Sequence, residues 1–153
     1  METPIYAEKQ VMKFRWLLTA AGVAVMVLGA WQTWRAEPIS AIAMLIFAGI
    51  FVVILRGFTQ FSTVVTPTEL RFGFPLFRKR FLLTTLEVGD VQRITLLAGI
   101  GIHFWGGKWV YNARYGSGVN LKHGRFRYLI GSDQPERLQS TLLQLVPRIP
   151  VSP

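Results

Sequence analysis

The chain has 153 residues, of which 51% are hydrophobic, and it contains no cysteine. Its formal net charge at pH 7 is +9. Because cysteine is absent, structural disulfides and cysteine-based metal or catalytic sites are excluded. The basic balance favours an anionic surface as a partner, either lipid headgroups or nucleic acid.

Two uncharged apolar segments lie close together before residue 57, over residues 16–34 and 39–55. Each has about the length that a helix needs to cross a bilayer. Residues 35–38 separate them, and Pro38 suits the first turn of a second helix. We therefore predict an antiparallel transmembrane hairpin over residues 16–56. Small residues on both segments would allow the helices to approach closely: Ala20, Gly22, Ala24, Gly29, Ala41, Ala43, Ala48 and Gly49.

The flanks of the first segment favour insertion over cleavage. Residues 28–30 lack the small-x-small pattern of a signal-peptide cleavage site. Tryptophans stand at both ends of the segment, where indoles anchor helices at the two membrane–water interfaces: Trp16, Trp31 and Trp34. Lysine and arginine residues are more frequent on the two outer flanks of the hairpin than in its connecting loop, where Arg35 is the one cation. The positive-inside rule then predicts that both termini are cytoplasmic, including a leader over residues 1–15.

From Thr59 onward the pattern changes to the alternation of β-strands, which predicts a separate domain over residues 57–153. About seven short strands are expected: Phe61–Val65, Leu70–Phe74, Phe81–Thr84, Val91–Leu97, Trp109–Tyr111, Val119–Leu121 and Phe126–Ile130. Asp133 and Glu136 have the spacing of a capping box, so an amphipathic helix should follow and end at Pro147. Leu138, Leu142 and Leu145 would share its apolar face.

The order of local motifs resembles the small bacterial PH-domain membrane proteins. The matching pieces are Val65-Thr66-Pro67-Thr68-Glu69-Leu70, Lys108-Trp109-Val110-Tyr111-Asn112, Gly118-Val119-Asn120-Leu121, Gly124-Arg125 and Gly131–Leu138. The resemblance covers nearly the whole chain. It implies a PH-like β-barrel, a bent antiparallel sheet closed by a C-terminal α-helix, behind two N-terminal transmembrane helices. It also implies the bacterial inner membrane, a scaffold or assembly role with self-association, and no catalytic residues.

The residues that could carry chemistry are few. His123 belongs to an expected hairpin turn, and His103 has no cysteine or second histidine near it to complete a metal site. The carboxylates of Glu69, Asp133 and Glu136 are explained by a turn and by helix capping. We therefore predict no catalytic, metal or cofactor site, and a protein that is not an enzyme.

The most informative polar feature is the segment Phe77-Arg78-Lys79-Arg80-Phe81, which we call the basic–aromatic segment. We expect it in a connection between strands. One interpretation is a solvated hairpin whose charges discourage edge-to-edge pairing. The other is contact with anionic lipid headgroups. A second candidate is Trp105, beside two glycines, as an anchor for a protein partner. We expect Trp109 to be the buried tryptophan.

Four functions remain to be compared. The leading one is a membrane-anchored scaffold that binds a protein partner, a second copy of the chain or an anionic lipid surface. The alternative is a small accessory subunit of a larger membrane complex. An enzyme acting within the bilayer is disfavoured because the apolar segments lack ionisable residues. Nucleic-acid binding through residues 125–128 is disfavoured because one face of an alternating strand belongs to the core.

Overall fold

The computed structural model describes residues 3–12, 15–58, 60–95 and 99–146. The chain divides into two compact units, which are Met12–Thr59 and the combination of Met1–Val11 with Gln60–Pro153. This division differs from the predicted domains, because the start of the expected leader belongs to the β unit. The reason is that Tyr6–Val11 forms a strand.

The first unit is a pair of helices, α1 over Arg15–Thr33 and α2 over Pro38–Gly57. Pro38 lies in the first turn of α2, as predicted. Both helices are long and apolar enough to cross a membrane. Their bounds agree with the predicted segments to within two residues, because uncharged runs bounded by Pro38 and by cations leave little choice.

Small residues fill much of the contact between α1 and α2. Ala41 and Ala48 are buried. A methyl group added at Gly22 would overlap the ring of Phe51, whereas one added at Gly49 would meet open space. The predicted role in close approach is therefore confirmed for Gly22, and Gly49 points away from the partner helix.

Within the described residues, the second unit contains nine strands in two sheets. The first sheet has the order β1-β2-β3-β4, and all its pairs are antiparallel. Its strands are β1 Tyr6–Val11, β2 Gln60–Val65, β3 Glu69–Phe74 and β4 Phe77–Leu82. The alternation predicted for β2 and β3 is confirmed. Their core-facing residues are all buried: Phe61, Thr63, Val65, Leu70, Phe72 and Phe74.

The second sheet has the order β5-β8-β9-β7-β6. A 3-10 turn at Leu83–Thr85 leads into it. Its strands are β5 Leu86–Ile94, β6 Gly101–Trp105, β7 Lys108–Asn112, β8 Gly116–His123 and β9 Phe126–Ser132. The hairpin predicted around Gly124 is confirmed, with a positive φ of 58° at that glycine. Pairing is antiparallel except between β7 and β9, which run parallel. Neither sheet closes on itself within the described residues.

Two strands escaped the sequence prediction. In β1 the core-facing side chains include Glu8 and Gln10, so hydrophobic alternation is hidden. Strand β6 lies inside the glycine-rich stretch that was interpreted as a break. The end of the predicted fourth strand, residues 96 and 97, and Pro147 lie outside the described residues.

The two sheets pack face to face through aromatic rings. The ring centroid of Phe72 lies 5.2 Å from that of Tyr111 and 5.4 Å from that of Phe81. Phe81 also lies 5.1 Å from Tyr128. Helix α3, Pro135–Leu145, packs on the second sheet, with Leu138 and Leu142 buried as predicted.

The start of α3 differs from the predicted capping box. Gln134 occupies the N-cap position and makes no side-chain cap. Asp133 instead pairs with Arg114 at 3.0 Å. The backbone N–H of Gln134 donates to Ser132 Oγ at 3.0 Å. The capping-box prediction is wrong because an ion pair with a neighbouring loop holds the carboxylate.

A hydrogen-bonded cluster ties β1 to the end of β9. Glu8 accepts from the hydroxyl of Tyr6, from Ser132 Oγ at 2.5 Å and from Gln10 Nε2 at 2.7 Å. The backbone N–H of Asp133 donates to the same carboxylate at 2.7 Å. Burial alone would raise the pKa of Glu8, but these donors outweigh it and the pKa lies below its ordinary value.

Candidate functional site

The basic–aromatic segment is a strand and not a connection. Phe74 pairs with Phe77 across a two-residue turn, so the three cations lie within β4. The prediction that the segment lies in a connection between strands is therefore wrong. Consecutive charges hide the alternation, yet β4 is an edge strand whose Arg78, Lys79 and Arg80 are all exposed. An edge strand can carry charges on both faces because it lies at the rim of the core.

The two faces of β4 differ. Phe77, Lys79 and Phe81 point to the core side, where Phe81 is buried and Phe77 is 50% exposed. Arg78 and Arg80 point to the opposite, outer face of the first sheet. The segment therefore presents exposed cations beside exposed apolar surface.

The outer face of the first sheet gathers further cations. Arg71 is directly opposite Arg80 in the β3–β4 pair. Lys9 is opposite Ser62, and Ser62 is opposite Gly73, the partner of Arg78. Cross-strand neighbours on one face lie within side-chain reach. Strands β1, β3 and β4 thus contribute cations to one face of the sheet, and β2 contributes the neutral Ser62 between them.

Glu69 relieves the repulsion between the paired arginines of this surface. Its carboxylate forms ion pairs with both Arg71 and Arg80, and the residue is only 2% exposed. Burial alone would raise the pKa of Glu69, but hydrogen bonds and charge from Arg80 and Arg71 outweigh it and lower the pKa. Arg78, Lys79 and Lys9 form no ion pair within the described residues.

The second candidate, Trp105, ends strand β6 at the edge of the second sheet and is 50% exposed. The expectation that Trp109 is buried is wrong, since it is 38% exposed. The two residues that follow Trp109 in β7, Val110 and Tyr111, are buried instead. Trp109 packs edge-on against Phe104, with ring centroids 5.6 Å apart.

The two histidines occupy unrelated places. His123 is the last residue of β8 and stacks on Phe81, with ring centroids 4.3 Å apart. His103 lies in the edge strand β6, where burial lowers its pKa. Within the described residues no three histidines, cysteines or carboxylates come together as a metal site.

The structure separates the candidate residues that the sequence singled out. The basic–aromatic segment is in the first sheet and Trp105 is in the second. The three proposed interface anchors, Trp16, Trp31 and Trp34, are all exposed on or beside α1.

Sequence reasoning missed Glu69 and Arg71 as neighbours of the basic–aromatic segment. The signal that could have found them is the antiparallel register. A two-residue turn after Phe74 places Arg80 opposite Arg71. Like charges directly opposite each other are destabilising, so a neighbouring carboxylate that pairs with both arginines is expected.

Comparisons of this chain with models of known protein families, with curated proteins and with solved structures give no match.

Proposed function

We propose that the chain is a non-enzymatic module anchored in a membrane by α1 and α2, whose PH-like β unit holds a protein partner or an anionic lipid surface. Its role would be that of a scaffold or assembly factor. The observation that carries the proposal is strand β4, where Arg78, Lys79 and Arg80 are exposed beside the half-exposed Phe77. Each cation near an anionic leaflet gains about 1 kcal/mol.

Support for a PH-like unit comes from the arrangement of its parts. An antiparallel four-stranded sheet packs against a second sheet, and the C-terminal helix α3 follows the last strand. The parallel pair β7–β9 departs from a purely antiparallel barrel. The proposal therefore depends on the resemblance of motifs together with this element order.

We also propose that the chain lies in the inner membrane of a bacterium with both termini in the cytoplasm. Strand β1 pairs with β2, so the chain before α1 and the chain after α2 belong to one sheet. Two crossings return the chain to its starting side. A reporter that is active only outside the membrane should stay silent when fused after Pro153, and an active reporter would overturn this orientation.

The lipid interaction can be tested on a soluble variant. Val11 and Gln60 are opposite each other, so an Asn-Gly turn can replace residues 12–59. We call this the short-loop variant. Its sedimentation with vesicles containing phosphatidylglycerol should fall about tenfold or more when all three β4 cations are changed to glutamine.

The matched control changes three cations elsewhere in the β unit, Arg93, Arg125 and Arg137, to glutamine. Overall charge falls equally in both triple variants. An equal loss of vesicle binding in the two would show that net charge, and not β4, holds the surface. Unchanged binding in the β4 variant would remove the lipid branch of the proposal.

One observation favours the alternative of an accessory subunit. Gly49 faces open space on α2, away from α1. A small residue on an outward face lets another transmembrane helix approach closely. Purification of the intact chain in mild detergent should then bring one partner with it at a fixed ratio, and Gly49→Leu should release that partner.

A further inference from the structure

A row of side chains that begins at Trp105 crosses the outer face of the second sheet, whereas the basic–aromatic segment belongs to the first sheet. Trp105 is opposite Lys108, Arg127 is opposite Lys122, and Lys122 is opposite Glu87. Lys108 and Arg127 each precede a paired residue of the parallel strands β7 and β9, so they lie side by side. The row therefore contains three adjacent cations.

Adjacent like charges on one sheet face repel each other. Glu87 compensates one end of the row, since Lys122 Nζ lies 2.8 Å from its carboxylate. The side chain of Arg127 forms no ion pair or hydrogen bond in the part of the chain that the structure describes. Burial, and then the charge of Arg127, lower the pKa of Lys108. Within the described residues, no carboxylate forms an ion pair with Lys108 or Arg127, the two cations at the centre of the row.

Lys108 is held in place by neutral oxygens. Its Nζ donates to Gln92 Oε1 and to Asn120 Oδ1, both at 2.7 Å. Asn120 is itself fixed, because its Nδ2 donates to the backbone oxygen of Asp90 at 2.9 Å. An ammonium group has three protons, so one remains for a ligand. The guanidinium of Arg127 beside it can donate two parallel hydrogen bonds to an oxyanion.

 Lys108 lines two neighbouring clefts. The first cleft has a volume of about 360 Å³ and is lined by Lys108, Lys122 and Arg127, and also by the carboxylate-bearing Glu87 and Asp90. The second has a volume of about 180 Å³ and lies between Lys108 and Trp105. Its floor is apolar, because it includes the buried cluster of Ile94, Val110 and Leu129.

We propose that the first cleft binds the phosphate group of a small organic phosphate, and that the apolar or aromatic portion of this ligand packs against Trp105 in the second. A tetrahedral oxyanion fits the fork of Arg127 together with the free proton of Lys108. The exposed indole offers a flat face to the rest of the ligand. The proposal concerns the second sheet and does not depend on the membrane-surface role of β4.

The test uses the full chain in nanodiscs of phosphatidylcholine, titrated calorimetrically at fixed ionic strength. The probes are inorganic phosphate and phenyl phosphate. Phenyl phosphate should bind about tenfold more tightly than inorganic phosphate, because only it reaches Trp105. Trp105→Ala should remove this difference and leave inorganic phosphate binding unchanged.

Arg127→Gln should weaken both probes by about tenfold or more. Asp90→Asn should tighten the binding of both probes, since it removes a negative charge from the lining of the cleft. The matched control is Arg78→Gln in the first sheet, which removes the same charge and should leave binding unchanged. An equal loss in Arg78→Gln and Arg127→Gln would overturn the proposal.

The phosphate could belong to a soluble molecule or to a lipid headgroup, and a second arm separates these sources. If a lipid headgroup enters the cleft, adding phosphatidic acid to the nanodiscs should raise the Tm of the unmodified chain more than it raises the Tm of Arg127→Gln. Phenyl phosphate binding without this rise identifies a soluble ligand. Absence of both effects would overturn the proposal.

Discussion

Val11 and Gln60 are opposite each other in the β1–β2 pair, although both apolar helices lie between them in the chain. The helical unit is therefore inserted between two paired strands of the first sheet. Any fragment that begins after the helices loses β1 and with it an edge of that sheet.

The short-loop variant tests this relationship. It should unfold cooperatively, because the Asn-Gly turn preserves the β1–β2 pair. A fragment of residues 57–153 should be less stable, since it lacks Tyr6, Glu8 and Gln10 on the core side of β1. Urea unfolding followed by tryptophan fluorescence measures the difference. Equal midpoints would show that β1 adds nothing to the unit.

The cluster around Glu8 should contribute to stability. Tyr6→Phe removes the hydroxyl that bonds Glu8 and lies 3.2 Å from Ser132 Oγ. We expect a loss of about 1–2 kcal/mol in the free energy of unfolding of the short-loop variant. Tyr115→Phe, at an exposed tyrosine, is the matched control and should change it little.

The same cluster predicts how stability depends on pH at the alkaline end. Burial, and then the hydrogen bond with Glu8, raise the pKa of Tyr6 to about 12. A raised pKa stabilises the fold fully below the unfolded value of about 10, and this contribution is lost as the pH rises towards 12. Unfolding free energies should fall over that range, and less steeply in Tyr6→Phe.

Glu8 predicts the opposite dependence at the acid end. Its pKa is lowered in the folded chain, so its contribution is present above the unfolded value and is lost as the pH falls through the folded value. Glu8→Gln should flatten the acid limb of the stability curve. If the acid limb of the stability curve is the same in Glu8→Gln, other carboxylates determine the loss of stability at low pH.

The helix pair offers a test with a matched control. Gly22→Leu forces a side chain into the ring of Phe51, whereas Gly49→Leu enters open space. We expect Gly22→Leu to lower the stability of the pair by about 1–3 kcal/mol and Gly49→Leu to leave it unchanged. Because the chain has no cysteine, disulfide cross-linking between cysteines introduced on α1 and α2 reports their proximity.

Much of the fold follows from the sequence where local pattern and burial agree. The apolar runs on either side of Pro38 correctly predicted α1 and α2, and alternating hydrophobicity correctly predicted β2 and β3. In these elements the hydrophobic pattern follows the positions that are covered, so it can be read from the sequence.

The failures come from residues whose environment is set by distant parts of the chain. Glu8 faces the core because Ser132 and the backbone of Asp133 satisfy its carboxylate. The consecutive cations of β4 were interpreted as a connection because they break the alternation expected of a strand, but an edge strand tolerates charge on either face. The row of Lys108, Arg127 and Lys122 depends on the β7–β9 pairing, which joins strands that are not consecutive.

The pairing of β1 with β2 has a consequence for biosynthesis. The ribosome makes β1 before either apolar helix, whereas its partner strand emerges only after both. Strand β1 therefore has no β2 to pair with until both helices have been synthesised. The β1–β2 pair can therefore form only after α1, α2 and β2 have been synthesised, so completion of the first sheet depends on translation of the segment between its first two strands.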